Sequence, residues 1–198
     1  ATIELLREAH WQYAFGDDIH RKYTDPLIEE DLRNFLTVQY KDKNLTTSEM
    51  DSIVANLRNT GGQNDYYALR NAFLLYRDGY DFAYSDGRDN PFRLEYIDFE
   101  HPDHNIFRCV NQFVMEQGRE NRRPDILLFI NGIPVCIIEL KNPTKQNATI
   151  HDAHTQICTR YMRDIPALLK YCALAVISDG AKNALGTIYT PFEFFYEW

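Results

Sequence analysis

No stretch of the 198-residue sequence approaches the roughly 20 apolar residues that a membrane-spanning helix requires, so no membrane role is expected. The opening Ala1-Thr2-Ile3-Glu4 has neither the basic nor the apolar region of a secretory signal, which predicts a cytoplasmic protein. Cysteine is sparse: Cys109, Cys136, Cys158 and Cys172 form no C-x-x-C pair, and three of them sit in apolar runs. They read as small buried thiols in a reducing compartment. Neither G-x-x-x-x-G-K-[ST] nor G-x-G-x-x-G occurs, which excludes an ATP motor within these residues. Positive charge is in deficit, with 21 Lys and Arg against 29 Asp and Glu and a net charge of −8. That is the wrong sign for coating nucleic acid nonspecifically, so any nucleic-acid contact has to be local. Repeats and low-complexity segments are absent as well.

What is present is the composition of a folded domain, 44% hydrophobic and 25% charged. The length suits one core, so residues 1–198 read as a single domain. The chain lacks an initiator Met and ends on the aromatic run Phe192-Glu193-Phe194-Phe195-Tyr196-Glu197-Trp198, which a protein would hardly leave in water. Both features predict a piece of a larger polypeptide.

Residues 1–80 read as mainly helical. Asp25-Pro26 is expected to cap and open a first helix with Leu27, Ile28, Leu32, Phe35 and Leu36 at helical spacing. Thr46 and Glu49 form a capping box ahead of Met50, Ile53, Val54 and Leu57, closed by Gly61-Gly62. A third helix is expected from about Asp65 to Tyr76, before Gly79. From Phe92 the apolar period drops to two, the mark of strands. Ile126 to Ile130 and Ile133 to Leu140 are nearly unbroken apolar runs split by Asn131-Gly132, which predicts a central hairpin covered on both faces. A helix over 149–163 and a strand over 173–177 complete a crossover, so the last strand should run parallel to the 135–140 strand. The fold class is α/β, with a central mixed sheet flanked by helices.

Charge is scarce in the hairpin, so the charges present are informative. Asp125 follows Pro124 at the mouth of the first strand, and Glu139 and Lys141 end the second with Leu140 between them. Residues two apart in a strand share a face, so Glu139 and Lys141 point together. A two-residue turn would pair Ile130 with Ile133 and turn Asp125 away from Glu139. A three-residue turn pairs Ile130 with Pro134 and sets Asp125 opposite Glu139. We expect the latter, as a type I turn and G1 bulge with Gly132 at positive φ. Asp125, Glu139 and the Leu140 carbonyl then supply the hard oxygen ligands that Mg²⁺ prefers, with Lys141 beside them to orient water and stabilise a pentavalent phosphate.

The stretches Asn105-Ile106-Phe107, Asn111-Gln112-Phe113, Arg122 to Pro134, Ile138-Glu139-Leu140-Lys141-Asn142-Pro143 and Ile177-Ser178-Asp179-Gly180 resemble the N-terminal nuclease domain of the restriction (R) subunit of type I restriction-modification enzymes. The likeness covers about residues 92–190 and is loose over the helical N-terminus. It implies a restriction-endonuclease-like PD-(D/E)xK fold and Mg²⁺-dependent hydrolysis of double-stranded DNA without sequence specificity of its own. Asp125 and Glu139 would be metal ligands and Lys141 the catalytic lysine. The family also carries Q-x-x-x-Y on the helix after the lysine. Here Gln156 and Tyr161 stand one residue further apart, which on an α-helix takes them off a common face, and the resemblance still implies both, Gln156 before Tyr161, as catalytic-site residues. The fold's first helix often adds a carboxylate, for which Glu29 is the best candidate and Glu30 the next. The resemblance further implies methylase and specificity subunits as partners and a downstream motor domain that uses ATP.

Arg119, Arg122, Arg123 and Lys145 are candidate DNA contacts, though the arginines could equally pair with the acidic surface. His101 with His104, and His151 with His154, have ligand-like spacing but no third Cys or His at zinc-site distance, and read as ordinary loop and helix-face residues. A stand-alone repair or phage-type exonuclease and a catalytically silent docking module are the alternative readings.

Overall fold

A computed structural model describes residues 2–142 and 149–197. The chain opens with α1 (Thr2–Glu8) and a short strand, β1 (Gln12–Phe15). Three helices follow, α2 (Glu29–Gln39), α3 (Thr47–Asn59) and α4 (Asp65–Asp78). The reciprocal Thr46–Glu49 capping box starts α3 as expected, and Asn64 caps α4, which ends at Gly79 with φ 67°. Strands β2 (Tyr80–Phe82) and β3 (Phe92–Leu94) pair with each other, then come β4 (Phe107–Asn111), the small hairpin β5 (Met115–Gln117) and β6 (Glu120–Arg122), and β7 (Ile126–Ile130) and β8 (Ile133–Leu140). Helix α5 (Ile150–Thr155) continues through a π-helical segment, Gln156–Tyr161, into Met162–Asp164. Strands β9 (Leu174–Ser178), β10 (Asn183–Gly186) and β11 (Tyr196–Glu197) finish the described chain.

Seven strands form one mixed sheet in the order β1-β4-β7-β8-β9-β10-β11. The β1–β4 and β8–β9 pairs are parallel and the other pairs antiparallel, so the expected crossover and the central position of the hairpin are present. Alternate residues of the hairpin serve opposite faces. Leu127, Phe129 and Ile137 pack beneath Ile157 and Tyr161 of the α5 layer, while Ile126, Cys136 and Ile138 face Ile3, Leu6 and Trp11. A second buried cluster joins α2, α3 and α4 to the turn end of the hairpin through Ile133.

Three expectations need correction. Asp25 is not a helix cap: its Oδ1 accepts from the Leu27 N–H at 3.1 Å, a local turn, and α2 begins only at Glu29. The helix so opened is not the first, because α1 precedes it. The 92–96 segment is a strand only over Phe92–Leu94 and joins β2 rather than the central sheet.

Candidate active site

The hairpin turn differs from the expected one. Asn131 (φ 50°) and Gly132 (φ 76°) are both left-handed and Ile130 pairs with Ile133, so the turn has two residues and the type I′ form that matches strand twist. Gly132 has the positive φ expected of it. The buried Asn131 side chain holds the turn, accepting from Ile106 N–H (2.7 Å) and donating to the Tyr96 carbonyl (2.9 Å) and Asn105 Oδ1 (2.7 Å).

A β-bulge then moves the register. Phe129 pairs with Pro134 but Leu128 pairs with Cys136, leaving Val135 as the extra residue. Beyond the bulge Ile126 pairs with Ile138, and one step further Asp125 stands opposite Glu139. The three-residue turn is therefore wrong and the facing of the two carboxylates is nonetheless present, because the added residue lies inside the strand.

Asp125 accepts the Leu140 N–H on Oδ2 (2.9 Å), and its own carbonyl accepts from Gln112 N–H (3.0 Å). Glu139, 2% exposed, takes Lys141 Nζ at 2.9 Å and Gln156 Nε2 on the same oxygen, with the Tyr161 hydroxyl donating to the other at 3.5 Å. Lys141 Nζ also donates to Gln156 Oε1 (2.6 Å), and its backbone N–H donates to the Ser178 carbonyl (2.7 Å), tying the strand end to β9. Burial, and then the Asp125 charge, push the Glu139 carboxyl up to about 7 against the pull of Lys141. One lysine does not balance two crowded carboxylates, and this donor set fits a hard divalent cation. Burial also raises the Tyr161 hydroxyl well above its ordinary value, so it remains a donor at neutral pH.

Gln156 and Tyr161 do share this site, contrary to the face argument made from α-helical spacing. The intervening helix is π, whose wider turn brings residues five apart together, and Gln156 Nε2 lies 2.6 Å from the Tyr161 hydroxyl. Glu29 goes elsewhere. It accepts from Arg33 and Arg58, both at 2.6 Å, in an ion network with Asp25 and Asp51 that, among the described residues, shares no member with the Asp125–Glu139 cluster. Those two guanidinium groups hold it below the usual carboxylate range. Glu30 is exposed next to it on α2. Instead, Thr2 and Ile3 of α1 line an open cleft of about 470 Å³ with Asp125, Leu140 and Lys141. Sequence reading missed α1 altogether, although Thr2, Glu4 in the first turn and Arg7 in the last are the residue types that open and close a helix; seven residues are too few for an apolar period to stand out.

Of the candidate DNA contacts, Arg122 is committed to protein: it bonds the buried Asp164 at 2.7 Å and Glu120 at 2.5 Å. Arg119 and Arg123 are exposed at and after the β5–β6 turn. Lys145 lies outside the described residues.

A family described as type I restriction enzyme R protein N terminus matches residues 1–194. The chain belongs to this family. Over its whole length it is 29% identical to the HindI type I restriction enzyme endonuclease subunit of Haemophilus influenzae, of which it covers 19%. It is 30% identical, again over its whole length, to a Methanocaldococcus jannaschii protein provisionally named the MjaIXP type I restriction enzyme endonuclease subunit, of which it covers 20%. The chain thus spans about a fifth of the length of these relatives. Among the described residues no helix is long and apolar enough to cross a membrane.

Proposed function

We propose that residues 1–198 are the nuclease domain of a type I restriction R subunit, with a PD-(D/E)xK core over 92–190 that hydrolyses phosphodiester bonds of double-stranded DNA. One observation carries this reading: Asp125, Glu139, Lys141, Gln156 and Tyr161, drawn from two strands and a helix, form one hydrogen-bonded cluster at the mouth of a cleft. Asp125, Glu139 and the Leu140 carbonyl would hold Mg²⁺. When bound, that ion polarises a phosphate oxygen and offsets its charge.

The remaining work belongs to the side chains. Lys141 carries positive charge to the scissile phosphate and orients the attacking water, and its contact with Gln156 Oε1 keeps the ammonium at the cleft. Gln156 and Tyr161 fix the Glu139 rotamer, so the carboxylate is positioned before substrate arrives. A domain with a net charge of −8 needs other parts of the assembly to deliver DNA. We assign that delivery to ATP-driven motor domains in the remainder of such a subunit and to methylase and specificity subunits. Such an enzyme meets foreign DNA in the cytoplasm.

The test pairs calorimetric titration of Mn²⁺ with plasmid nicking in Mg²⁺. Wild type should bind the ion and Asp125→Ala should lose it, while Lys141→Ala binds the ion and nicks at least about 100-fold more slowly. Undiminished Mn²⁺ binding by Asp125→Ala would overturn the assignment.

A further inference from the structure

Asp98 lies in the loop between β3 and β4, with 3% exposure and a carboxylate already fixed in place. Its Oδ1 accepts the N–H groups of Glu100 (3.0 Å) and His101 (2.8 Å), and its Oδ2 accepts Gln39 Nε2 of α2 (3.0 Å). Two imidazoles are aimed at that same Oδ2, His104 Nδ1 at 3.0 Å and His101 Nδ1 at 3.6 Å. Their convergence follows from local structure. Pro102–His104 is a 3₁₀ turn, in which side chains three apart eclipse, and the two rings stack at 4.9 Å with 16° between planes. The three ligand atoms lie within 4.8 Å of one another.

We infer that Asp98, His101 and His104 form a Zn²⁺ site with a fourth position open to solvent. Ligands about 2.0–2.2 Å from a tetrahedral ion stand about 3.3–3.5 Å apart, and the two nitrogen-to-oxygen distances fall on either side of that range. The competing arrangement, a histidine donating to a buried carboxylate, accounts for His104 alone. At 3.6 Å the second imidazole makes no hydrogen bond with Asp98, yet it points there. Gln39 and the two backbone N–H groups orient the carboxylate in the way that outer partners orient a metal ligand. Both histidine side chains are more than half exposed, so an ion can enter and water can complete the shell. Two nitrogens and one oxygen suit zinc and do not suit Mg²⁺, which takes oxygen ligands.

This site is separate from the Asp125–Glu139 cluster. Strand β4 leads from the histidine loop at Phe107 to Gln112, which bonds the Asp125 carbonyl, a run of about 17 Å at the usual strand rise. The link to the rest of the fold is structural. Asp98 N–H donates to Asn105 Oδ1, the same oxygen that accepts from the Asn131 side chain, so the ion would clip α2 and the histidine loop to the hairpin turn.

The experiment titrates Zn²⁺ alone into the whole chain by calorimetry and follows thermal unfolding. Asp125→Ala removes the nuclease carboxylate, so the zinc it still binds reports on the loop. That variant should take one equivalent and gain in melting temperature. Adding His101→Ala or His104→Ala should weaken binding by more than about tenfold and abolish the gain, with an unchanged far-ultraviolet spectrum because both side chains are exposed. Zinc binding that survives both histidine substitutions, or that is absent from Asp125→Ala itself, would refute the site.

Discussion

Gln156 and Tyr161 touch across five residues of sequence because the helix between them widens by one residue. A π segment of this kind is a one-residue insertion that leaves the α-helical phase on either side intact. Removal of the exposed Thr159 should convert it to an ordinary turn and leave Gln156 and Tyr161 four apart, on one α-helical face. We expect the deletion to retain nicking within about tenfold of wild type, while Gln156→Ala loses more than that. Plasmid nicking by the two variants side by side checks this; a dead deletion variant alongside an active Gln156→Ala would contradict it.

Glu139 should show opposed effects on activity and stability. Its carboxyl, raised to about 7, is paid for by the fold wherever it is ionised. The sign follows from the raised value: the folded state binds the proton more tightly than the unfolded chain does, so stability falls as pH rises from 4.5 through 7. Glu139→Gln mimics the protonated form. Without divalent metal at pH 8 it should be more stable than wild type by the order of 2–3 kcal/mol, with the difference vanishing near pH 4. Urea unfolding in chelator at the two pH values measures it, and the same variant should not nick DNA.

Gly132 is constrained twice, by its φ of 76° and by the Ile28 carbonyl, 2.1 Å from where a Cβ would sit. Gly132→Ala should cost at least about 2 kcal/mol in urea unfolding, whereas Gly118→Ala, at φ 62° with open space around it, should cost about 1 kcal/mol. Equal losses would mean that the approach of α2 to the turn contributes nothing.

Acid should act through Glu49. The buried carboxylate accepts both Arg88 terminal nitrogens (2.9 and 2.7 Å) and the Thr46 N–H (2.9 Å), and the guanidinium above all holds its pKa down to about 2. A lowered carboxyl contributes stability that is whole above 4.5 and is lost as pH falls through about 2. Glu49→Gln should therefore be less stable at pH 7 and lose less between pH 4.5 and 2 than wild type, as read from denaturant midpoints across that range.

Legibility in the sequence followed the range of the interactions. The capping box of α3, the Asn131-Gly132 turn position and the parallel crossover are written in short spans, and each is present. So is the shared face of Glu139 and Lys141, which needs only strand geometry. Long-range pairing is different. Glu29 reads as free on its helix until Arg58, 29 residues on, is found against it, and β1 is a four-residue strand that exists only because β4 receives it. The π segment left its mark only in the one extra residue between Gln156 and Tyr161, which α-helical geometry alone turns into an argument against the pair. The bulge did have one, in Pro134: proline donates no ladder hydrogen bond and sits in central strands essentially only at such irregularities. Asp98 was invisible as a partner of the two histidines because metal-motif spacings look for cysteine and histidine rather than a carboxylate.

The unpaired Val135 also makes the distance from turn to glutamate a counted quantity. Each residue inserted or removed between Gly132 and Glu139 exchanges the inner and outer faces of every position after it, swinging the carboxylate from Asp125 toward the layer occupied by Ile3 and Trp11. Within the apolar character that burial imposes on Ile133, Cys136, Ile137 and Ile138, side chains in this segment can therefore change as long as their number does not. Among diverging copies of this domain, parity along one strand would outlast chemical identity, and a frame-preserving indel there would silence cutting more surely than most substitutions nearer the phosphate.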